Sequence, residues 1–291
     1  ATIQRAGFPD LRYKWQHKPQ VVLLLIERQS LFDHLARLVH CYFEQLQLPI
    51  EIYFFRDSPW DGIQGSGTSL LTILTRELQA DQVWVVGELD AFSGYLPGHP
   101  ADWLEQYRRQ PWTTTVLTVQ ATRERPKIVR KLQSEGVRLL PFDNDGISKL
   151  GTWGPSEHLT FLPWIPALSP YWSSSEKPDS DEIARGLREV RDYLDGSTIL
   201  ETCAFLPELR FALTLELIEE QHRNLFYLVR LFRLPWFRQG GMPIWVREAL
   251  LTPLDPTFSA DRRHQIFECL KKFTPNTWPR QVVGHERNWQ L

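Results

Sequence analysis

The most constraining feature of this sequence is a run of six apolar residues, Val21–Ile26, which ends in the charged Glu27. An uninterrupted apolar run of this length is typical of a strand inside a parallel sheet, where both faces of the strand are buried. Between residues 31 and 46 the apolar side chains recur with the spacing of one helical face. A buried strand followed closely by an amphipathic helix predicts the first unit of an α/β domain.

The same alternation of strand and helix patterns continues to about residue 150. Four further strands are predicted at 50–55, 82–86, 113–119 and 137–141, and helical patterns separate them at 70–79, 101–109 and 125–135. Strands that alternate with helices in this way predict a mostly parallel five-stranded sheet, with Val21–Ile26 inside it.

The second half of the chain has a different pattern. Residues 151–181 are rich in Trp, Pro and Ser and keep no period, which predicts a linker. From 182 onward the apolar period is helical, with predicted helices at 182–194, 198–206, 208–220, 224–234, 243–251 and 260–273, and Ser259 as the N-cap of the last one. We therefore predict an α/β domain in 1–150 and a small all-helical domain in 182–291.

Composition excludes several classes of protein. The net charge of −2 provides no basic field for nucleic acid, so we expect no nucleic-acid partner. No apolar run reaches the roughly 18 residues of a membrane span, so we expect no membrane association. Cys41, Cys203 and Cys269 lie far apart without a CxxC motif, which argues against disulfides and zinc. We interpret them as buried free thiols of a cytoplasmic protein.

Acidic residues follow the predicted strands at the edge where parallel sheets bind ligands. They are Glu27, Asp57, Glu88, Asp90, Asp143 and Asp145. Glu27, followed by the pair Glu88 and Asp90, resembles the arrangement in Toprim-type nuclease domains, although Arg28 stands where those domains usually have a glycine. That resemblance implies a metal-dependent nuclease with Glu27, Glu88 and Asp90 as catalytic residues. In the competing interpretation, these carboxylates cap helix N-termini and remain in solvent.

The segment Glu27–Leu31 also resembles the metal-binding Asp-x-Ser-x-Ser run of von Willebrand factor A domains. Here Glu27 replaces the aspartate and Gln29 replaces the first serine. We therefore predict a Rossmann-like or degenerate von Willebrand A-like sheet that holds no metal, with no Mg²⁺ or Mn²⁺ binding at Glu27 tighter than about millimolar. No Walker motif and no dinucleotide-binding glycine fingerprint occurs, so we expect no cofactor.

The most distinctive stretch is Leu231–Leu251, where aromatic side chains surround a turn made by Pro235 and the glycine pair 240–241. We predict that Trp236 and Trp245 are buried and join two helices, while the arginines at 233, 238 and 247 stay in solvent or stack on rings. In the alternative interpretation this stretch binds a partner through Trp236, Phe237, Arg238 and Trp245.

The segment Leu234–Leu251, read as Leu-Pro-Trp-Phe-Arg-x-Gly-x-Met-Pro-x-Trp-x-Arg-x-x-Leu-Leu, resembles the N-terminal region of large multidomain bacterial proteins. Some of those proteins carry a C-terminal formylglycine-generating-enzyme (C-type-lectin-like) domain, and some belong to retroelement-diversified or bacterial conflict systems. The chain starts at Ala1 and has Met242 as its only methionine, so we expect a fragment of a longer protein. The resemblance implies a non-enzymatic interaction or scaffold module, which binds a protein partner or other domains of the same chain.

Overall fold

A computed structural model of the chain describes residues 21–46, 48–60, 70–96, 98–120, 122–151, 178–254 and 256–273. Five strands form one sheet, and every neighbouring pair is parallel: β1 Val22–Glu27, β2 Ile50–Phe55, β3 Gln82–Gly87, β4 Thr113–Thr118 and β5 Arg138–Pro141. The predicted parallel α/β sheet is therefore confirmed. β1 lies inside it, hydrogen-bonded to β2 on one side and β3 on the other.

The strand order is β2-β1-β3-β4-β5. This is the order of flavodoxin-like doubly wound sheets, in which the chain first adds a strand on one side of β1 and then crosses to the other side. The reversal lies between β1 and β3. In open parallel sheets, ligands bind beyond the carboxyl ends of the strands at this reversal. The carboxyl ends of β1 and β3 are therefore where this topology predicts a ligand-binding site.

Helices in the first half follow the predicted pattern with three differences. The helices are α1 His34–Gln45, α2 Leu70–Leu78, α3 Pro126–Ser134 and the short α4 Asn144–Ser148. The first helix begins three residues later than its apolar pattern, because the Asp33 side chain accepts a hydrogen bond from Ala36 N–H and caps it. Residues Asp102–Arg109 form a 3₁₀ helix rather than an α-helix, and α4 was not expected.

Seven helices are described in the second half: α5 Ser180–Tyr193, α6 Ile199–Ala204, α7 Phe211–Leu217, α8 Leu225–Phe232, α9 Pro235–Gln239, α10 Ile244–Leu251 and α11 Pro256–Phe273. The short α9 lies inside the predicted turn and ends at Gly240, whose φ of +80° is the left-handed conformation that glycine adopts readily. The predicted cap at Ser259 is wrong, because α11 already begins at Pro256.

The two faces of the sheet are covered differently. Leu23 and Leu25 of β1 face α2, α3 and the 3₁₀ helix in one apolar core. Leu24 and Ile26 face α1, and this second core continues without interruption into the C-terminal helices. Most of the predicted linker, residues 152–177, lies outside the described residues, and so do the N-terminal arm 1–20 and the tail from 274. The two parts that the linker separates share one core.

Two smaller expectations can be compared with the described residues. Cys203 and Cys269 are buried free thiols as predicted, whereas Cys41 is half-buried. None of the described helices combines the length and the apolar character needed to cross a bilayer.

Candidate functional site

The carboxyl ends of β1 and β3 are joined by a glutamate. Glu27 Oε2 accepts a 2.7 Å hydrogen bond from the backbone N–H of Glu88, the first residue after β3. The approach is so close that a Cβ atom on Gly87 would lie 2.7 Å from the same carboxylate oxygen. Only glycine fits at position 87 without a displacement. The chain thus holds the Glu27 carboxylate directly over the topological switch point.

Arg238, at the end of the aromatic turn, enters this crevice from the C-terminal helices. Its Nε donates a 2.7 Å hydrogen bond to Asp33 Oδ2, and its Nη2 lies 3.3 Å from Glu27 Oε1. Its Nη1 lies 3.5 Å from Glu88 Oε1, without hydrogen-bond geometry. The residue is only 1% exposed. The planar guanidinium has donors on three sides, so one arginine can face three carboxylates at once.

Burial and charge act in opposite directions on this cluster. Burial lowers the pKa of Arg238, but the facing carboxylates of Asp33, Glu27 and Glu88 outweigh it and keep that pKa above its ordinary value. For Glu27 burial is the larger effect, so the pKa of its carboxyl is raised despite the attraction of Arg238. Arg233 supplies a second positive charge, with its Nε 3.6 Å from Glu88 Oε1. Two guanidinium groups therefore compensate three carboxylates.

The loop between β1 and α1 is bound to the same turn. Ser30 Oγ donates a 2.7 Å hydrogen bond to the backbone carbonyl of Arg238. Asp33, besides capping α1 and binding Arg238, accepts a 2.9 Å hydrogen bond from Gln29 N–H. Phe32 packs closely against Gly240. A Cβ atom added at position 240 would lie only 2.3 Å from the Cβ atom of Phe32. The loop that would bind a ligand in other sheets of this kind is thus held by the C-terminal helices.

His34, the first residue of α1, anchors the other side of this loop. Its ring is buried against Phe211, Phe232 and Phe237, with ring centroids 5.2–5.9 Å away. Its Nε2 lies 3.2 Å from Thr214 Oγ1. Burial lowers the pKa of His34, which favours the neutral imidazole. These surroundings give His34 a structural role.

The three residues of the nuclease alternative have different arginine partners. Glu27 and Glu88 face Arg238, whereas Asp90 points to Arg125, whose Nη2 donates a 2.7 Å hydrogen bond to Asp90 Oδ2. Two of the other acidic strand ends have local roles. Asp143 caps α4, and Asp145 forms an ion pair with Lys149 at 2.8 Å.

The residues of the partner-binding alternative lie inside the protein. Trp236, Phe237, Arg238 and Trp245 are between 0% and 4% exposed. The predicted burial of the two tryptophans is confirmed. The expectation that Arg238 stays in solvent or stacks on a ring is wrong, because its charge is compensated by buried carboxylates from the other half of the chain. A partner could contact these four side chains only if this part of the chain opened.

Two sets of residues were missed at the sequence level. Asp33 lies inside the apolar pattern of residues 31–46, which hid its role as the N-cap of α1, and its contact with Arg238 spans 205 positions and leaves no local trace. In addition, one group of possible metal ligands occurs in the described residues, and it lies on α1: His40, Cys41 and Glu44. Of these three residues, only Cys41 had a predicted role, that of a buried thiol.

Comparison with known proteins returns no match to a family model, to a curated protein or to a solved structure. The resemblance to multidomain bacterial proteins therefore stays a prediction. Function has to be argued from the site itself.

Proposed function

We propose that this chain is a non-enzymatic protein-interaction module of a larger multidomain bacterial protein in the cytoplasm, with a role in defence or ligand display. The main support is the position of Arg238. In a sheet of this topology the crevice between β1 and β3 is the usual place for a ligand. Here a buried arginine from the C-terminal helices occupies it and ion-pairs with Glu27, Asp33 and Glu88.

The loop over this crevice presents apolar side chains to solvent, which supports binding of a protein. Leu31 is 82% exposed and Phe32 is 59% exposed, on a loop whose backbone is fixed by Ser30 and Asp33. We call these two side chains the Leu31–Phe32 tip. Two exposed large apolar residues on a rigid loop lose little entropy on binding and are suited to fill a pocket on a partner. The partner is another protein or another domain of the same protein.

The competing proposal is a metal-dependent nuclease that uses Glu27, Glu88 and Asp90. It is supported by the proximity of Glu27 and Glu88 at the switch point. Against it, Arg238, Arg233 and Arg125 already compensate these carboxylates. A divalent cation would have to displace guanidinium groups, and Arg238 and Glu27 are buried.

A cleavage assay separates the two proposals. The purified chain is incubated with single- and double-stranded DNA and RNA in Mg²⁺ and in Mn²⁺, beside a Glu88→Ala, Asp90→Ala double variant. We expect no cleavage by either protein. Cleavage by the wild type that is lost in the double variant would overturn the module proposal, whereas equal cleavage by both would identify a contaminant.

A crosslinking experiment tests the interaction itself. A photoreactive amino acid replaces Leu31 in the host bacterium, and the matched control carries it at Arg37, an exposed position on α1. We expect one discrete protein adduct from position 31 and none from position 37. The identified protein is then purified, and Phe32→Asp should weaken its direct binding at least tenfold. The same adducts from both positions, or binding that Phe32→Asp leaves unchanged, would contradict the proposal.

A further inference from the structure

Three side chains of different chemistry converge on one side of α1. His40, Cys41 and Glu44 each offer one ligand atom, and these atoms all lie within 4.8 Å of one another. Positions i and i+4 of a helix lie on the same face, and position i+1 borders that face. The convergence therefore follows from helix geometry, and it is unrelated to the crevice that Arg238 occupies.

The donor set indicates which ion would fit. Imidazole nitrogen, thiolate sulfur and carboxylate oxygen are the three ligand types of zinc sites, whereas Mg²⁺ and Ca²⁺ take oxygen ligands. Around a tetrahedral Zn²⁺ the donors stand roughly 3.3–3.8 Å from each other, as follows from metal–ligand distances of about 2.0–2.3 Å. The three donor atoms already lie within 4.8 Å of one another, so only small side-chain rotations separate them from this arrangement.

The surroundings leave these ligand atoms available. His40 Nδ1 lies 3.2 Å from Glu44 Oε2, but it is buried and makes no hydrogen bond within the described residues. Glu44 forms no ion pair with a lysine or an arginine in that part of the chain. The His40 ring packs against Phe54 of β2 with centroids 5.6 Å apart, which restricts its orientation. A buried ring nitrogen without a hydrogen bond is a cost that a bound metal ion would remove.

We propose that His40 Nδ1, Cys41 Sγ and the Glu44 carboxylate form a binding site for Zn²⁺, with the fourth coordination position open to water. The Cys41 thiol releases its proton to solvent when the metal–sulfur bond forms. The absence of a CxxC motif does not exclude such a site, because only one of the three ligands is a cysteine.

The test is a Zn²⁺ titration by calorimetry on the reduced, chelator-treated chain. We expect one Zn²⁺ per chain with micromolar or tighter affinity. The single variants Cys41→Ser and His40→Gln should each weaken binding at least tenfold, because each removes one of three protein ligands. The matched control His264→Gln removes an exposed histidine from α11 and should bind Zn²⁺ as the wild type does.

Cobalt substitution provides a readout that a purely structural role would not change. Co²⁺ bound to the wild-type chain should show a thiolate-to-cobalt charge-transfer band in the near ultraviolet, and Cys41→Ser should lose it. Circular dichroism of the metal-free variants checks that they fold. Zn²⁺ binding no tighter than about millimolar, around −4 kcal/mol, would overturn the proposal. Tight binding that survives both Cys41→Ser and His40→Gln would overturn it too, since the metal would then lie elsewhere.

Discussion

Two groups of side chains with metal-binding chemistry lie close together in the sequence and have opposite environments. Glu27 and Asp33 are buried, and the guanidinium group of Arg238 from the C-terminal helices compensates their charge. His40, Cys41 and Glu44 are at least partly exposed, and Glu44 has no lysine or arginine partner in the described residues. The residue type alone therefore does not predict the role. What decides it is whether the protein has already supplied a counter-charge, because a buried carboxylate without one is strongly destabilised.

The largest expected effect comes from removing the counter-charge of the first group. Arg238→Met leaves Glu27, Asp33 and Glu88 without their shared guanidinium, and Arg233 lies near Glu88 only. We expect the free energy of unfolding to fall by about 3–5 kcal/mol, the range for breaking a buried ion pair. Urea denaturation measures it.

A matched surface variant controls for the loss of any arginine. Arg210 forms an ion pair with Glu208 in which both side chains are about two-thirds exposed. Arg210→Met should cost about 0–1 kcal/mol, as exposed pairs do. An equal loss of unfolding free energy in Arg238→Met and Arg210→Met would show that the buried cluster stabilises the fold no more than an exposed ion pair does.

An effect of similar size is expected from Trp236, which lies two positions before Arg238. Trp236 is 1% exposed, so Trp236→Ala should cost about 3–5 kcal/mol through lost packing and a cavity. Ile244 lies eight positions later, begins α10 and is 74% exposed, so Ile244→Ala should change stability by only about 0.5 kcal/mol. Thermal and urea unfolding of both variants test this contrast. An unchanged stability of Trp236→Ala would contradict the buried position.

A smaller effect should appear in the pH dependence of stability. Burial lowers the pKa of His34 in the folded chain. Below about pH 6.5 the imidazole is therefore protonated in the unfolded chain while it stays neutral in the folded chain. Above that pH the contribution of His34 to the free energy of unfolding is fully present. It is lost as the pH falls toward the folded pKa, by at most about 1.4 kcal/mol per pH unit.

The measurement compares urea unfolding of the wild type and His34→Gln from roughly pH 7.5 down to 5. The stability difference between them should shrink as the pH falls. The comparison with the variant is necessary because Glu27, whose pKa is raised, has the opposite sign and stabilises the fold as the pH falls toward its own range. Parallel curves for wild type and His34→Gln would contradict a buried neutral imidazole.

The smallest effect is expected from the second group. Cys41 is half-buried and forms no disulfide, so Cys41→Ser should change the metal-free unfolding free energy by only about 0.5 kcal/mol. A loss of several kcal/mol in differential scanning calorimetry would show that this cysteine, like Arg238, belongs to the structural core.

The elements of the sheet could be predicted from the sequence because their signals are local. Val21–Ile26 reads as a buried strand from six consecutive residues, and the pattern also predicted that it lies inside the sheet. The burial of Trp236 and Trp245 follows from their place at a turn between helical patterns. Such signals need no knowledge of distant residues.

The site itself could not be predicted, because its contacts are not local. Arg238 looked like a surface residue since its neighbours gave no hint of carboxylates, and nothing in the sequence near Asp33 indicated its ion pair with Arg238. Glu27, Glu88 and Asp90 were compatible with a metal until their arginine partners were known. The starts of α1 and α11 were missed by three or four residues for a different reason, because Asp33 and Pro256 set them and the apolar period does not.

The most direct test of the account is a double-mutant cycle between Arg238 and Asp33, measured by urea unfolding of Arg238→Met, Asp33→Asn and the double variant. Asparagine keeps an oxygen that can cap α1, so the cycle isolates the ion pair. The account predicts a coupling energy of at least about 1.5 kcal/mol, because the 2.7 Å contact is fully buried. Additive effects, within about 0.5 kcal/mol, would mean that Arg238 does not occupy the crevice and that its carboxylates are free for a ligand.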